Sequence, residues 1–408
     1  MMLATSALTC KLCAAATVET LLDLGRQPVA SHFKGSPDDL DTRFPLAWGC
    51  CTSCGLSQLA APFPDEALVS PYPWFSFREP EAHLDEVVTR IMALPGLPSE
   101  PVVGGVSPKD DSTLERLRGA GAQVSWRIDP RTDLGAENPA ANVETVQARL
   151  DSNRARHVAN RGGRVDVLIV RHIVEHCASP VQFLSALSDL LADGGHLMIE
   201  VPDCAANMER HDYVMIWEEH TLYLTKETAP MLLARAGCKL VELRRYAHPF
   251  EDVLVLIGRK EPGVEPTIEE TGTDALVDRA RAFAAGFNRR THSIKQHLSA
   301  RLGPGQGLAL YGAGHLACGF INFHGLADLC DVVIDDTPQK QGLSMAGSGL
   351  PILSAAALDP MHHPICLFAF SPDSEDKVID RHSGFTDGGG AFFSALVDSP
   401  RSIWSHIE

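Results

Sequence analysis

Apolar positions recur at helical spacing over residues 83–94 (HLDEVVTRIMAL), and Pro95 then stops the pattern, which predicts a helix there. Residues 101–106 (PVVGGV) read as a strand, a helix follows around 112–118, and 123–128 (QVSWRI) read as a second strand ending on Asp129. The run 165–170 (VDVLIV) is apolar on both faces, as a buried parallel strand requires. An amphipathic helix is expected over 180–191, then a turn at Asp193-Gly194-Gly195 and a strand over 196–201. A strand over 253–257 closes this block, and 261–273 has linker composition. Beyond a long helix over 274–302, a second strand–helix block holds strands at 307–311, 332–334 and 366–370. The first 78 residues read as short and irregular. The alternation predicts an α/β chain with two doubly wound, Rossmann-like domains behind a small N-terminal lobe.

Composition supports that division. With 408 residues, 45% of them hydrophobic, the chain has material for two or three cores. Boundaries are expected at 1–80, 81–262 and 263–408. A net charge of −17 argues against gripping nucleic acid, which needs clustered Lys and Arg. No apolar run approaches the ~20 residues of a membrane span. The N-terminus breaks too early for a secretory signal, so a soluble, cytoplasmic protein is expected. Oligomeric state is left open.

Five of the eleven cysteines fall within the first 54 residues. Cys10-x-x-Cys13 and Cys51-x-x-Cys54, separated by 37 residues, form two knuckles that together suit one tetrahedral Zn²⁺. Cys50 lacks the spacing. Four thiolates leave no open position, so the expected metal is structural.

At this point the chain resembles a known family. Cys10-Lys11-Leu12-Cys13, Leu24-Gly25-Arg26-Gln27-Pro28, Ser31-His32-Phe33 and Cys51–Leu56 resemble the zinc lobe of S-adenosylmethionine (SAM)-dependent nucleotide-sugar C-methyltransferases. Glu175-His176, Asp193-Gly194-Gly195, Ile199–Asp203 and Glu219-His220-Thr221-Leu222-Tyr223 resemble that family's central domain. Gly312-Ala313-Gly314, Asp335–Gly342 and Gly349–Ile352 resemble its C-terminal domain. The resemblance implies methylation of the carbon beside a ketone on a deoxysugar carried by a nucleoside diphosphate.

Under that resemblance His220 is the expected base, Glu219 its orienting partner and His176 a second acid or electrostatic partner. Tyr72 is a candidate hydroxyl, compensating for Trp217 where many relatives carry Tyr. Trp74, Trp217 and Tyr223 are expected near the substrate. Asp129 fits the acid that holds the donor's ribose, with Asp110, Ser107 and His172 as further cofactor-side residues. The first turn departs from the family: Gly105 stands where an acid is expected, Ser107 at a key glycine and Asp111 at the last glycine. In the C-terminal block, Gly312 and Gly314 form a turn suited to phosphate, and Lys340 is a candidate phosphate contact. The expected partner is a nucleotide-linked sugar or another small molecule. Two further readings stay open: methyl transfer to oxygen or to a non-sugar carbon, and a binding or assembly protein that has lost SAM.

Overall fold

The computed structural model describes residues 8–407 except 37, 73–78, 139, 250 and 265–271. Its strands are β1 (Val18–Pro28), β2 (Arg43–Cys51), β3 (Ser57–Leu59), β4 (Val102–Gly105), β5 (Gln123–Arg127), β6 (Val165–Arg171), β7 (Leu191–Pro202), β8 (Leu222–Tyr223), β9 (Cys238–Tyr246), β10 (Val253–Lys260), β11 (Leu308–Tyr311), β12 (Cys330–Ile334), β13 (Ile352–Leu353), β14 (Ile365–Phe368) and β15 (Ala391–Ser394).

Two compact units interleave along the chain. The first comprises residues up to Thr20, Trp48–Ala205 and Glu219–Ala280; the second comprises Leu21–Ala47, Ala206–Glu218 and Arg281–Glu408.

The first unit is built on a six-stranded sheet in the order β5-β4-β6-β7-β10-β9. β5, β4, β6 and β7 run parallel, and β10 is antiparallel to both β7 and β9. Strand alternation explains its two cores. Val167 and Ile169 of β6 face the helices Leu84–Met92 and Asp111–Gly119, joining Ile91, Leu114 and Leu117. Leu168 and Val170 face the opposite way, joining Ala155, Val158, Phe183 and Leu187 from the helices Ser152–Gly162 and Pro180–Leu190. The cysteine lobe packs on this second core through Leu12, Cys51 and Leu56.

Two sequence expectations need correction. The N-terminal segment is not irregular: β1 and β2 are strands of 11 and 9 residues in a sheet of order β1-β2-β3-β8. Residues 193–195 do not end one element and start another, because β7 is continuous from Leu191 to Pro202. The glycines make a bulge within it, with Gly194 at φ +75° and a register shift against β6.

The second unit has a five-stranded parallel sheet of order β13-β12-β11-β14-β15. Helix His315–Phe323 follows β11 directly, and Leu316, Phe320 and Ile321 on it are buried. Among the described residues, no helix is long and apolar enough to cross a membrane.

Candidate active site and zinc lobe

The Sγ atoms of Cys10 and Cys54 are 3.7 Å apart and those of Cys13 and Cys51 3.6 Å. A tetrahedron of thiolates at zinc–sulfur distances near 2.3 Å has edges of about 3.8 Å, so these four thiols fit Zn²⁺ with no coordination position left open. Cys50 stays outside the set and turns its thiol to the Cys51 carbonyl.

The lobe is tied to the segment carrying Glu219-His220. After Cys54 the chain enters β3, whose Ser57 and Gln58 pair with Tyr223 and Leu222 of β8. Lys11, between the first two cysteines, donates from its backbone to Gln58 Oε1 (2.9 Å) and from Nζ to the Ala178 carbonyl (2.9 Å). Thr221 then pins the loop to the turn after β6, with its N–H on the Glu175 carbonyl at 2.7 Å and its hydroxyl on the Cys177 carbonyl at 2.6 Å. Residues 175–176 and 219–220, distant in sequence, are thereby forced together.

The result is a buried cluster. The imidazoles of His176 and His220 lie 4.8 Å apart at 79°, edge to face. Carboxylate oxygens and ring nitrogens of Glu175, His176 and His220 fall within 4.8 Å of one another, as do those of Glu144, His176 and Glu219. Glu144 reaches His176 Nδ1 at 2.5 Å. Burial works against a charged His176, while the nearby carboxylates of Glu144 and then Glu175 raise its pKa above the usual histidine range. Three carboxylates around two imidazoles favour holding a proton on a ring, which is what a base needs once it has acted.

His172 forms the next layer. It is one of the non-glycine residues with positive φ (47°), and it sits between Glu200 (Nε2, 2.8 Å) and Glu175 (Nδ1, 3.5 Å). Burial opposes its charge, but these two carboxylates push its pKa up to about 10. Glu200 also takes a two-point ion pair from Arg171 (2.9 and 3.1 Å).

The turn after β4 closes on itself. Asp110, fully buried, accepts from the N–H groups of Val106 (2.6 Å), Ser107 (2.8 Å) and Arg171 (2.8 Å). Ser107 caps Lys109, and Asp111 pairs with Arg127 at 2.7 Å. Burial pushes the Asp110 carboxyl up to about 7, against those hydrogen bonds. A Cβ on Gly105 would stand 2.8 Å from Leu114 and 3.1 Å from Asp110, so the acid expected at that position has no room.

The end of β5 is different. Asp129 spends only Oδ1, on Arg131 N–H, Thr132 N–H and the Thr132 hydroxyl. The Thr132 N–H and neighbouring donors hold its carboxyl below the usual range. Among the described residues no hydrogen bond engages its Oδ2, at the carboxyl end of a parallel strand, a placement that fits a pair of ribose hydroxyls. The amides of Val106 and Ser107, by contrast, are occupied by Asp110.

Tyr72 donates its backbone N–H to Ser70 Oγ at 3.2 Å. Trp74 lies outside the described residues. Tyr223 is 1% exposed and meets Trp48 edge-on at 6.2 Å. In the second unit Trp217 stacks on His315 at 4.2 Å and 17°, beside a small cavity that Gln27, Glu218 and Cys318 also line. Gly312 takes φ +105°, and a Cβ there would stand 2.9 Å from the Ala369 carbonyl. Gly314 opens helix His315–Phe323. Lys340 Nζ contacts the Ala313 carbonyl (2.6 Å) and Asp335 (2.9 Å), which also accepts the Ala313 N–H. Nothing in the sequence marks Glu144. An acid just after Asn142, whose side chain accepts the Glu144 N–H, reads as an ordinary helix start.

Three family models match the chain in order. They are "Putative zinc binding domain" over residues 10–68, "Methyltransferase domain" over 105–243 and "C-methyltransferase C-terminal domain" over 264–396. Together the three matches make the chain a methyltransferase with a zinc lobe and the C-terminal domain of C-methyltransferases. Among relatives, the C-methyltransferase NovU of Streptomyces niveus is 24% identical over 413 residues, covering 97% of this chain and 96% of that protein. Solved structures include a Burkholderia thailandensis 1,6-didemethyltoxoflavin-N1-methyltransferase with bound S-adenosylhomocysteine (16% identity, 44% of this chain, 79% of that one, TM-score 0.29). Another is the N-methyltransferase NodS of Bradyrhizobium japonicum (14% identity, 44% of this chain, 87% of that one, TM-score 0.28). A zinc lobe and a methyltransferase domain thus follow one another in this chain.

Proposed function

We propose that this C-methyltransferase methylates the carbon beside the ketone of a deoxysugar linked to a nucleoside diphosphate. The observation that carries the reading is the pairing of His176 and His220 inside a cage of three carboxylates.

Carbon methylation beside a ketone needs a base for the C–H proton and a partner for the enolate oxygen that forms. His220 takes the proton, the C–H electron pair becomes the C=C bond of the enolate, and the carbonyl π pair moves onto the oxygen. His176 faces that developing charge, and Glu219 and Glu175 offset the positive charge the rings acquire. Asp129 holds the ribose of the donor, which when bound supplies an electrophilic methyl on sulfur. In the second unit, the Gly312–Gly314 turn and Lys340 are the groups for the nucleotide phosphates, and Trp217 lines the same unit's cavity.

The test is incubation with SAM and a panel of nucleotide-linked keto-deoxysugars, followed by NMR location of the new methyl. A methyl on the carbon beside the ketone supports the reading. A methyl on oxygen would replace it with O-methylation.

A further inference from the structure

We propose that Glu144 is a positioning residue that fixes His176 with its Nδ1–H on the carboxylate and holds the ring as an imidazolium, leaving Nε2–H as the donor to the enolate oxygen. The inference rests on the ketone chemistry proposed above only for what Nε2 binds. The Glu144–His176 pair stands by itself.

Glu144 and His176 are 32 residues apart in sequence, on helix Val143–Arg149 and on the turn after β6. Their contact is 2.5 Å long, Glu144 is 0% exposed and His176 5%. A carboxylate so placed fixes both the tautomer and the orientation of an imidazole. It does more here than orient. His176 also faces Glu175, Glu219, His220 and, at longer range, Lys109. Buried as it is, His176 keeps its proton only if an anion offsets the loss of water around the charged ring. Glu144 is a carboxylate in hydrogen-bond contact with it.

Glu144 itself is held in place. Its N–H is capped by Asn142, and its Oε2 takes a hydrogen bond from Gln147 Nε2 at 3.3 Å. Gln147 in turn accepts the Ala178 N–H two residues beyond His176. The acid is thus braced from the same turn that carries the imidazole.

The experiment uses the full-length, zinc-loaded protein labelled with ¹⁵N-histidine, with His176 assigned by loss of its signals in His176→Asn. Ring ¹⁵N shifts are read near pH 8 without any acceptor, so failure of the deoxysugar reading would leave this measurement untouched. Wild type is expected to show both His176 nitrogens protonated, and Glu144→Gln a neutral ring. In turnover, Glu144→Gln lowers kcat on the order of tenfold to a hundredfold with little change in KM, and Glu144→Asp recovers part of it. A neutral His176 in wild type overturns the proposal, even if Glu144→Gln does not fold. So does an imidazolium that persists in Glu144→Gln.

Discussion

His176 and His220 meet edge to face, ring centroids 4.8 Å apart, although they arise from separate loops. The contact exists because Thr221 is hydrogen-bonded to the backbone of Glu175 and Cys177, one residue on either side of His176. Two imidazoles so close cannot easily both be charged unless carboxylates surround them, and Glu144, Glu175 and Glu219 do. In the proposed mechanism one ring acts as the base while its neighbour stays a fixed donor.

Removing the base tests this division directly. His220→Ala is expected to lose on the order of 10²- to 10⁴-fold in kcat while binding SAM as wild type does, measured by single-turnover kinetics and calorimetry. Unchanged turnover takes His220 out of the reaction.

The zinc lobe should matter for catalysis through β3 and β8 rather than through chemistry. Metal binding on the order of 10 kcal/mol is coupled to folding in small zinc lobes. Chelation, or Cys54→Ser, is expected to remove activity in step with zinc content and to lower the thermal midpoint. Amides of Leu59 and Tyr223 should lose hydrogen-exchange protection together. Retained protection at β8 in the metal-free protein would separate the lobe from the His220 loop.

Restoring the family's acid in the first turn should harm the protein. Even Gly105→Ala brings a Cβ to 2.8 Å from Leu114 and 3.1 Å from Asp110, an overpacking cost of about 1–3 kcal/mol by urea unfolding, and Gly105→Asp more. Neutral behaviour of Gly105→Asp would show that the turn can rearrange to an open form.

The buried His172–Glu200 pair gives stability a pH signature. His172 is raised from 6.5 to about 10, so its contribution is complete below pH 6.5 and is lost as pH rises through about 10. Glu200 is held well below 4.5, so its part is complete above pH 4.5 and is lost as pH falls through its lowered value. Both are therefore fully present between about pH 4.5 and 6.5. Arg171, His83, Glu175 and Glu79 share this field. The thermal midpoint should decline from pH 6.5 toward 10 in wild type and more shallowly in His172→Gln. Parallel curves would put the dependence elsewhere.

The parts of the fold that the chain displays openly are those where one short segment carries its own signal. Val165–Val170 is apolar on both faces and became the central parallel strand β6; the two Cys-x-x-Cys knuckles became one set of four thiols. β1 was hidden because its solvent-facing positions are Glu19, Thr20, Asp23, Arg26 and similar residues, broken by Gly25, and its partner strand contains Pro45. In the sequence β7 reads as a turn plus a strand because Asp193-Gly194-Gly195 has turn chemistry, and pairing with β6 carries the strand through that bulge. At the site, His176, His220 and Glu219 were visible as motif residues. Glu144 was not, because its meaning comes from a helix folding back on a turn 32 residues later. Nor was the role of Asp110, whose carboxylate turns inward to the amides of its own loop.

The most direct test of the account is deuterium exchange from D₂O into a nucleotide-linked keto-deoxysugar, followed by NMR with wild type and His220→Ala and with SAM left out. The account predicts that wild type washes deuterium into the carbon beside the ketone and that His220→Ala does not. Equal exchange by both proteins, or methyl transfer to that carbon by His220→Ala at the wild-type rate, would contradict it.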